Sequence, residues 1–356
     1  MTQPNAIASE ILQVSAAGFA GYAASELLQA HPELTETMPS ESFTSWKAHL
    51  TQRIMELAAA LKAGEPDMFS ARVRWTKRTF DARGISDQGL RASLEALQNV
   101  LRERLPGDAS SDACDLIDGS LAAMNTTADE SDSAALDPAA STDRLALQYI
   151  QQVLEGNSFD ALDKILRLQA DGSSIEDIYA EILLPAQREV GRLWHIGELA
   201  IAEEHLVTAA TERVMTLLTH HAEASPSNGR TMIAAAASGN VHDIGLRAAS
   251  DLFHLAGWRS LYLGSDIPLR ELPTTLVYFD ADVLLLGATL STHVGPIERA
   301  IKMIRERCEK DFLIMVGGTA FNEVEGLWKK VGADRYARTI DDAVEISNEF
   351  FRNQVN

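Results

Sequence analysis

Cysteine is nearly absent from this sequence. Two thiols, Cys114 and Cys308, stand among 356 residues. They are too few for a disulfide framework and too far apart for metal-ligand spacing, which suits a reducing compartment. Positive charge is scarce as well. Lys and Arg number 31 against 51 Asp and Glu, a formal charge of −20, which argues against any surface for a phosphate backbone. No apolar run reaches the roughly 18 residues of a membrane span. The opening MTQPNAIASE lacks the basic stretch and apolar core of a secretory signal. A cytoplasmic protein with neither nucleic-acid nor membrane partners is the expectation. What is present is 46% hydrophobic content, enough to fill the cores of two or three domains.

Strand patterns are missing from the first third. Residues 1–106 read as a helical domain. Ile54, Leu57, Ala58 and Leu61 fall at helix spacing, and Leu90, Leu94, Leu97, Leu101 and Leu105 line another stripe. Pro39-Ser40-Glu41-Ser42 offers a helix start and Gly84 a stop. Residues 107–142 are rich in Ser, Asp, Ala and Thr, with few large apolar side chains to offset ordering entropy. They read as an acidic linker with one short helix.

Residues 143–225 read as a four-helix bundle. Its stripes are Leu147, Ile150, Val153 and Leu154; Leu162, Ile165 and Leu166; and Ile178, Tyr179 and Ile182. Ser158 suits a cap, Ser173 with Glu176 resembles a capping box, and the last helix runs from about Ala202 to about His221. In residues 226–356 the runs TMIAAAA, SLYLG, VLLLGA and FLIMVGG alternate with helical patterns. Continuous apolar strands between helices imply a doubly wound, flavodoxin-like or Rossmann-like parallel sheet. The fold class is therefore α plus α/β. Ligands of such sheets bind beyond the carboxyl ends of the strands, where Gly239–Gly245, Gly287–Ser291 and Gly317-Gly318 converge.

Two histidine clusters stand out. One is Trp194-His195, followed after eight residues by Glu204-His205. The other is Asn240-Val241-His242-Asp243-Ile244-Gly245, directly after the first strand. A neutral imidazole on a strand-end loop is a good transition-metal ligand, and Gly245 lets a bulky group approach the backbone. His195 also fits a helix-terminal histidine facing the dipole, and Gly317-Gly318 a tight turn. His254 and His293 read as surface or packing residues.

Residues 143–350 resemble the cobalamin-binding module of corrinoid enzymes and of adenosylcobalamin photoreceptors. The family pattern is Asp-x-His-x-x-Gly, Ser-x-Leu, then Gly-Gly. Here His242-x-x-Gly245 and Gly317-Gly318 match. Asn240 replaces the Asp, and Gly287-Ala288-Thr289 with Ser291 is a degenerate second element. The resemblance implies that His242 ligates cobalt from below, with Asn240 a neutral partner that leaves it a weaker donor. Ser291 would reach the displaced nucleotide tail. The Trp194, Glu204-His205 spacing is similar to that of CarH-type light sensors. That likeness implies an indole packed on the adenosyl group, Glu204 hydrogen-bonded to it, and His205 at the site or a subunit contact. His195 would take the upper cobalt position once light has released the adenosyl group, as the bundle shifts to relieve the void.

The segment Phe69–Leu101 resembles globin-like helical sensor domains. A helical sensor beside a CarH-like module is the arrangement of photocobilins, which implies biliverdin as a second chromophore. Arg72, Arg74, Lys77 and Arg78 would then face its propionates, although a solvated helix face explains the same cluster. Cys114, placed in the linker, reads as incidental. The expected function is a photoreceptor, not an enzyme, with light-dependent homo-oligomer assembly and a downstream signalling protein. The alternatives are a corrinoid carrier of a methyltransferase system and a mutase subunit. The mutase reading is weakened because the chain holds no barrel segment.

Overall fold

The computed structural model describes residues 4–35, 42–82, 86–124, 136–137 and 139–353. The expected start at Pro39-Ser40-Glu41 and stop at Gly84 lie outside the described residues. The chain divides into two compact units, Met1–Asp129 and Glu130–Asn356.

The first unit is helical: α1 (Pro4–Ala30), α2 (Ser42–Ala63), α3 (Pro66–Ala82), α4 (Asp87–Arg104) and α5 (Gly107–Ala123). The expected stripes form its core, with Ile54, Leu57, Leu90, Leu94, Leu97 and Leu101 fully buried. Over Gly107–Ala123 the expected linker with one short helix is instead the 17-residue helix α5. Small residues suffice here because Ala109, Ala113 and Ile117 pack inward against neighbouring helices. Cys114 is therefore a core residue of α5. Its thiol donates to the Gln98 carbonyl, and burial pushes its pKa up.

The second unit opens with α6 (Ser141–Leu154) and α7 (Ser158–Ala170). A continuous rod follows, made of α8 (Ile175–Asp177), a π-helical stretch (Ile178–Leu183) and α9 (Leu184–Ile196). Then comes α10 (Ile201–His221). Two expected caps shift by one residue. Asn157 is the N-cap of α7, and Ser174 caps α8 by accepting from the Asp177 amide at 3.0 Å. The bundle core holds Ile150, Val153, Ile165, Ile178, Tyr179 and Leu218. Leu147 is only half-buried, and Ala146 and Tyr149 take the inner face instead.

Five parallel strands follow: β1 (Thr231–Ala236), β2 (Arg259–Tyr262), β3 (Val283–Gly287), β4 (Leu313–Gly317) and β5 (Arg335–Ala337). Their order is β2-β1-β3-β4-β5, the doubly wound pattern. The strands alternate with α11 (Ile244–Leu255), α12 (Leu272–Tyr278), α13 (Val294–Arg307), α14 (Thr319–Asn322), α15 (Leu327–Lys330) and α16 (Ile340–Arg352). Strand β1 is fully buried and ends in alanines. Among the described residues no helix is long and apolar enough to cross a membrane.

Candidate functional site

All five strands are parallel, so the loops after β1, β2, β3 and β4 share one rim. The β1 loop is tied down by its neighbours. Buried Asn240 donates from Nδ2 to the Gly287 carbonyl at 3.2 Å, and its Oδ1 accepts from the His242 amide at 3.1 Å. Thr289 donates to the His242 carbonyl at 3.1 Å. Asp266, in the β2 loop with φ +51°, accepts from the Gly239 amide at 2.7 Å. The Asp266 amide in turn donates to the Asn240 carbonyl at 3.0 Å.

The backbone carrying His242 is thus fixed from two sides, while its imidazole lies exposed. Asn240 spends both ends of its amide on backbone and neither on the His242 ring. Asp243 is also occupied, as acceptor for the Tyr262 hydroxyl. Burial, and then that carboxylate, push the Tyr262 pKa well up.

His293 is buried beneath this loop. Its Nδ1 accepts from the Leu290 amide at 3.2 Å, and its ring also bonds the Gly239 backbone. Burial lowers its pKa, the Gly239 contact opposes, and nearby His242 lowers it further. Sequence reasoning filed His293 among packing residues and did not single out Asp266. The signal for both is spatial, since the bonds that tie them to the β1 loop bridge 26 residues or more.

The glycines divide by role. Gly318 has φ +98°, and a Cβ there would sit 2.4 Å from the Ala288 carbonyl oxygen, so the chain itself requires glycine. At Gly317 a Cβ would press on the Ala337 carbonyl at 3.1 Å, and at Gly287 it would meet the Leu246 side chain at 3.5 Å. Gly245 differs: nothing lies within 4 Å of a Cβ built there. Nothing in the packing demands its smallness. Ser291 Oγ is buried with no hydrogen-bond partner.

The helical wall comes from α9 and α10. Trp194 and His195 occupy the last turn of α9, which stops at Gly197 in the left-handed region (φ +84°). The Gly197 amide donates to the Trp194 carbonyl and the Glu198 amide to the Leu193 carbonyl, a Schellman stop. The Trp194 and His195 rings lie 6.1 Å apart. In the first turn of α10, Glu204 contacts the His205 Nδ1 and accepts from Thr208 at 2.9 Å. Trp194, Ile201 and Leu206 are exposed large apolar residues, as is Val241 on the β1 loop.

Helix α10 runs alongside α11 in the same direction. Arg247 bonds Thr216 at 2.6 Å, Tyr179 bridges Thr219 and Asp251, and the Ser225 amide donates to the Leu255 carbonyl. With Thr216 level with Arg247, about three turns of α10 project past the start of α11. The Glu204 end therefore overhangs the rim that bears His242.

Residues 145–219 match one family described as B12 binding domain, and residues 230–345 match a second of that description. Residues 145–345 are a B12-binding module. A corrinoid protein of Desulfitobacterium hafniense is 27% identical over 212 residues, covering 53% of this chain and 96% of that one. The transcriptional repressor CarH of Myxococcus xanthus is 25% identical over 161 residues, covering 45% and 52%. The monomethylamine corrinoid protein of Methanosarcina barkeri superposes with a TM-score of 0.52 at 18% identity, over 59% of this chain and all of that one, which shows the shared fold.

The residues of the module fit cobalamin. Among the described residues no group of three His, Cys, Asp or Glu could hold a bare metal ion. A single exposed imidazole on a fixed loop suits a metal that arrives with its own equatorial ligands. The open space at Gly245, the orphaned Ser291 hydroxyl and the exposed apolar side chains suit a large, mixed-polarity ligand.

Proposed function

We propose that this chain is a light sensor that holds adenosylcobalamin between the β1 loop and the overhanging ends of α9 and α10. The reading rests on Trp194, His195, Glu204 and His205, which lie at two consecutive helix ends and would form a second wall above His242. Bound adenosylcobalamin supplies a visible-light-labile cobalt–carbon bond. His242 would hold the metal from the sheet side, with its backbone set by Asn240 and Thr289. Ser291 would donate to the nucleotide tail, and Gly245 leaves that tail room. On the other side the Trp194 indole would cover the adenosyl group and Glu204 would accept from its hydroxyls. His195 shares a helix end with Trp194 and would reach the metal when the bundle shifts. That shift would change the homo-oligomer or a contact with a signalling partner, with no catalysed reaction. The test is a dark and a lit spectrum of the adenosylcobalamin complex, with elution volume. A stable bis-imidazole spectrum with a change in size supports the sensor.

Biliverdin belongs to the same proposal, as a second chromophore of a globin-like first unit. The support is a polar seam inside that unit. Arg53, Glu56 and Arg72 are buried, and His49 Nε2, Arg53 Nε and Glu56 Oε2 lie buried with no partner. Arg72 thus faces the interior and not solvent, while Arg74 and Lys77 are half-buried. The Arg78 side chain lies outside the described residues. Red-shifted absorption on adding biliverdin tests it, and an unshifted spectrum removes it.

A second reading, a corrinoid carrier, draws on the Desulfitobacterium corrinoid protein, matched over 96% of its length. It requires binding of methylcobalamin and service to a methyltransferase.

A further inference from the structure

A cavity of about 980 Å³ opens at the opposite end of the joint between bundle and sheet, where α7, α8, α10, α11 and α16 meet. It lies at the carboxyl ends of α10 and α11, whose amino ends carry or adjoin the cobalamin residues. Its volume is at the upper end of the range of small-molecule sites. Leu166, Leu252, Leu255 and Val344 give it an apolar floor.

Four carboxylates line it: Glu176, Glu223, Asp341 and Glu345. Among the described residues no ion pair neutralises any of them. Arg352 and His221 also line the cavity, so the four carboxylates outnumber its two basic side chains; the Arg352 Nε donates to the Asn348 carbonyl at 3.3 Å. Asp341 Oδ1 is buried with no partner. Burial, then the charges of Glu176, Asp342 and Asp177, raise the Asp341 pKa to about 6, as expected of carboxyls crowded without a counter-charge.

A concave surface with an excess of negative charge concentrates cations. The described carboxylates do not make a metal site, and the apolar floor calls for more than a hydrated ion. We propose that this cavity is a second binding site, for an organic cation that carries a primary ammonium on an apolar body. The ammonium would meet Asp341 and Glu345, one turn apart on α16, and the body would rest on the leucines. The proposal stands independently of the cobalamin reading.

The test is calorimetric titration of the full-length chain with phenethylammonium, tryptammonium and octylammonium, against 2-phenylethanol as the uncharged counterpart. At least one ammonium should bind below about 1 mM and roughly tenfold more tightly than the alcohol. Asp341→Asn and Glu345→Gln should each weaken it by about threefold or more, and added salt should weaken it further. The proposal is overturned if no ammonium binds below about 10 mM, if the alcohol binds equally well, or if both variants bind as the parent does.

Discussion

The two walls of the proposed cobalamin site are built in opposite ways. On the sheet side, the His242 backbone is held by Asn240, Thr289 and the bonds of Gly239 and Asn240 to Asp266. Asn240 belongs to the same loop, and the other contacts come from the loops after β2 and β3, so the imidazole is presented by a backbone tied to its neighbours. On the helical side, Trp194 and His195 sit at a helix end that stops on a left-handed glycine, and Glu204 at the start of a helix that overhangs its support. In the proposed sensor, fixing one wall and leaving the other on projecting ends would let a change at the ligand be expressed as motion of the bundle. Under that proposal the difference separates where affinity and where signal would reside.

The largest expected effect is on the fixed wall. His242→Ala should weaken cobalamin uptake at least about tenfold and remove the imidazole-ligated absorption band; an unaltered titration would sink the assignment. Next is the movable wall. Trp194→Ala should cost adenosylcobalamin about 2 kcal/mol of affinity and leave hydroxocobalamin, which has no adenosyl group, unaffected. Equal losses for both ligands would remove the indole from the upper face. Asn240→Ala probes whether the frame matters apart from the ligand. It deletes two hydrogen bonds inside the rim and should lower the urea unfolding free energy of the apoprotein by about 1–2 kcal/mol. A stability equal to the parent's would make the frame dispensable.

The smallest effect lies at the far end of the joint between the walls. The Asp341 pKa is raised from 3.8 to about 6 in the fold. Its contribution therefore favours folding below pH 4 and is lost as pH rises through 6. Asp341→Asn should accordingly raise stability at pH 7.5 and give a smaller gain at pH 4.5, measured by denaturant melts at both values. A gain independent of pH would contradict the assignment.

Much of this was legible in the chain. Three strands, β1, β3 and β4, are nearly continuous apolar runs, as the interior of a parallel sheet covered on both faces demands, while β2 (Arg-Ser-Leu-Tyr) is only partly apolar. Strand β5, Arg335–Ala337, is a three-residue edge with an exposed Arg, so no run announces it. Helix α5 was hidden by composition, because alanines and serines that pack closely look like those of a linker. The His242 loop declared itself through His and Gly at fixed spacing. Asp266 and His293, which help hold that loop, did not, since their role depends on which strand ends the topology makes neighbours.

Strand β1 leads directly into the loop that bears His242, and from Ala234 to Ala236 its side chains are single methyl groups. Methyls offer little area to grip the layers above and below, so the strand is held chiefly by its peptide groups, bonded to β2 on one edge and β3 on the other. Deuterium uptake at those few amides would accordingly act as a strain gauge on the base of the site, reading tension that no bulky neighbour is there to absorb.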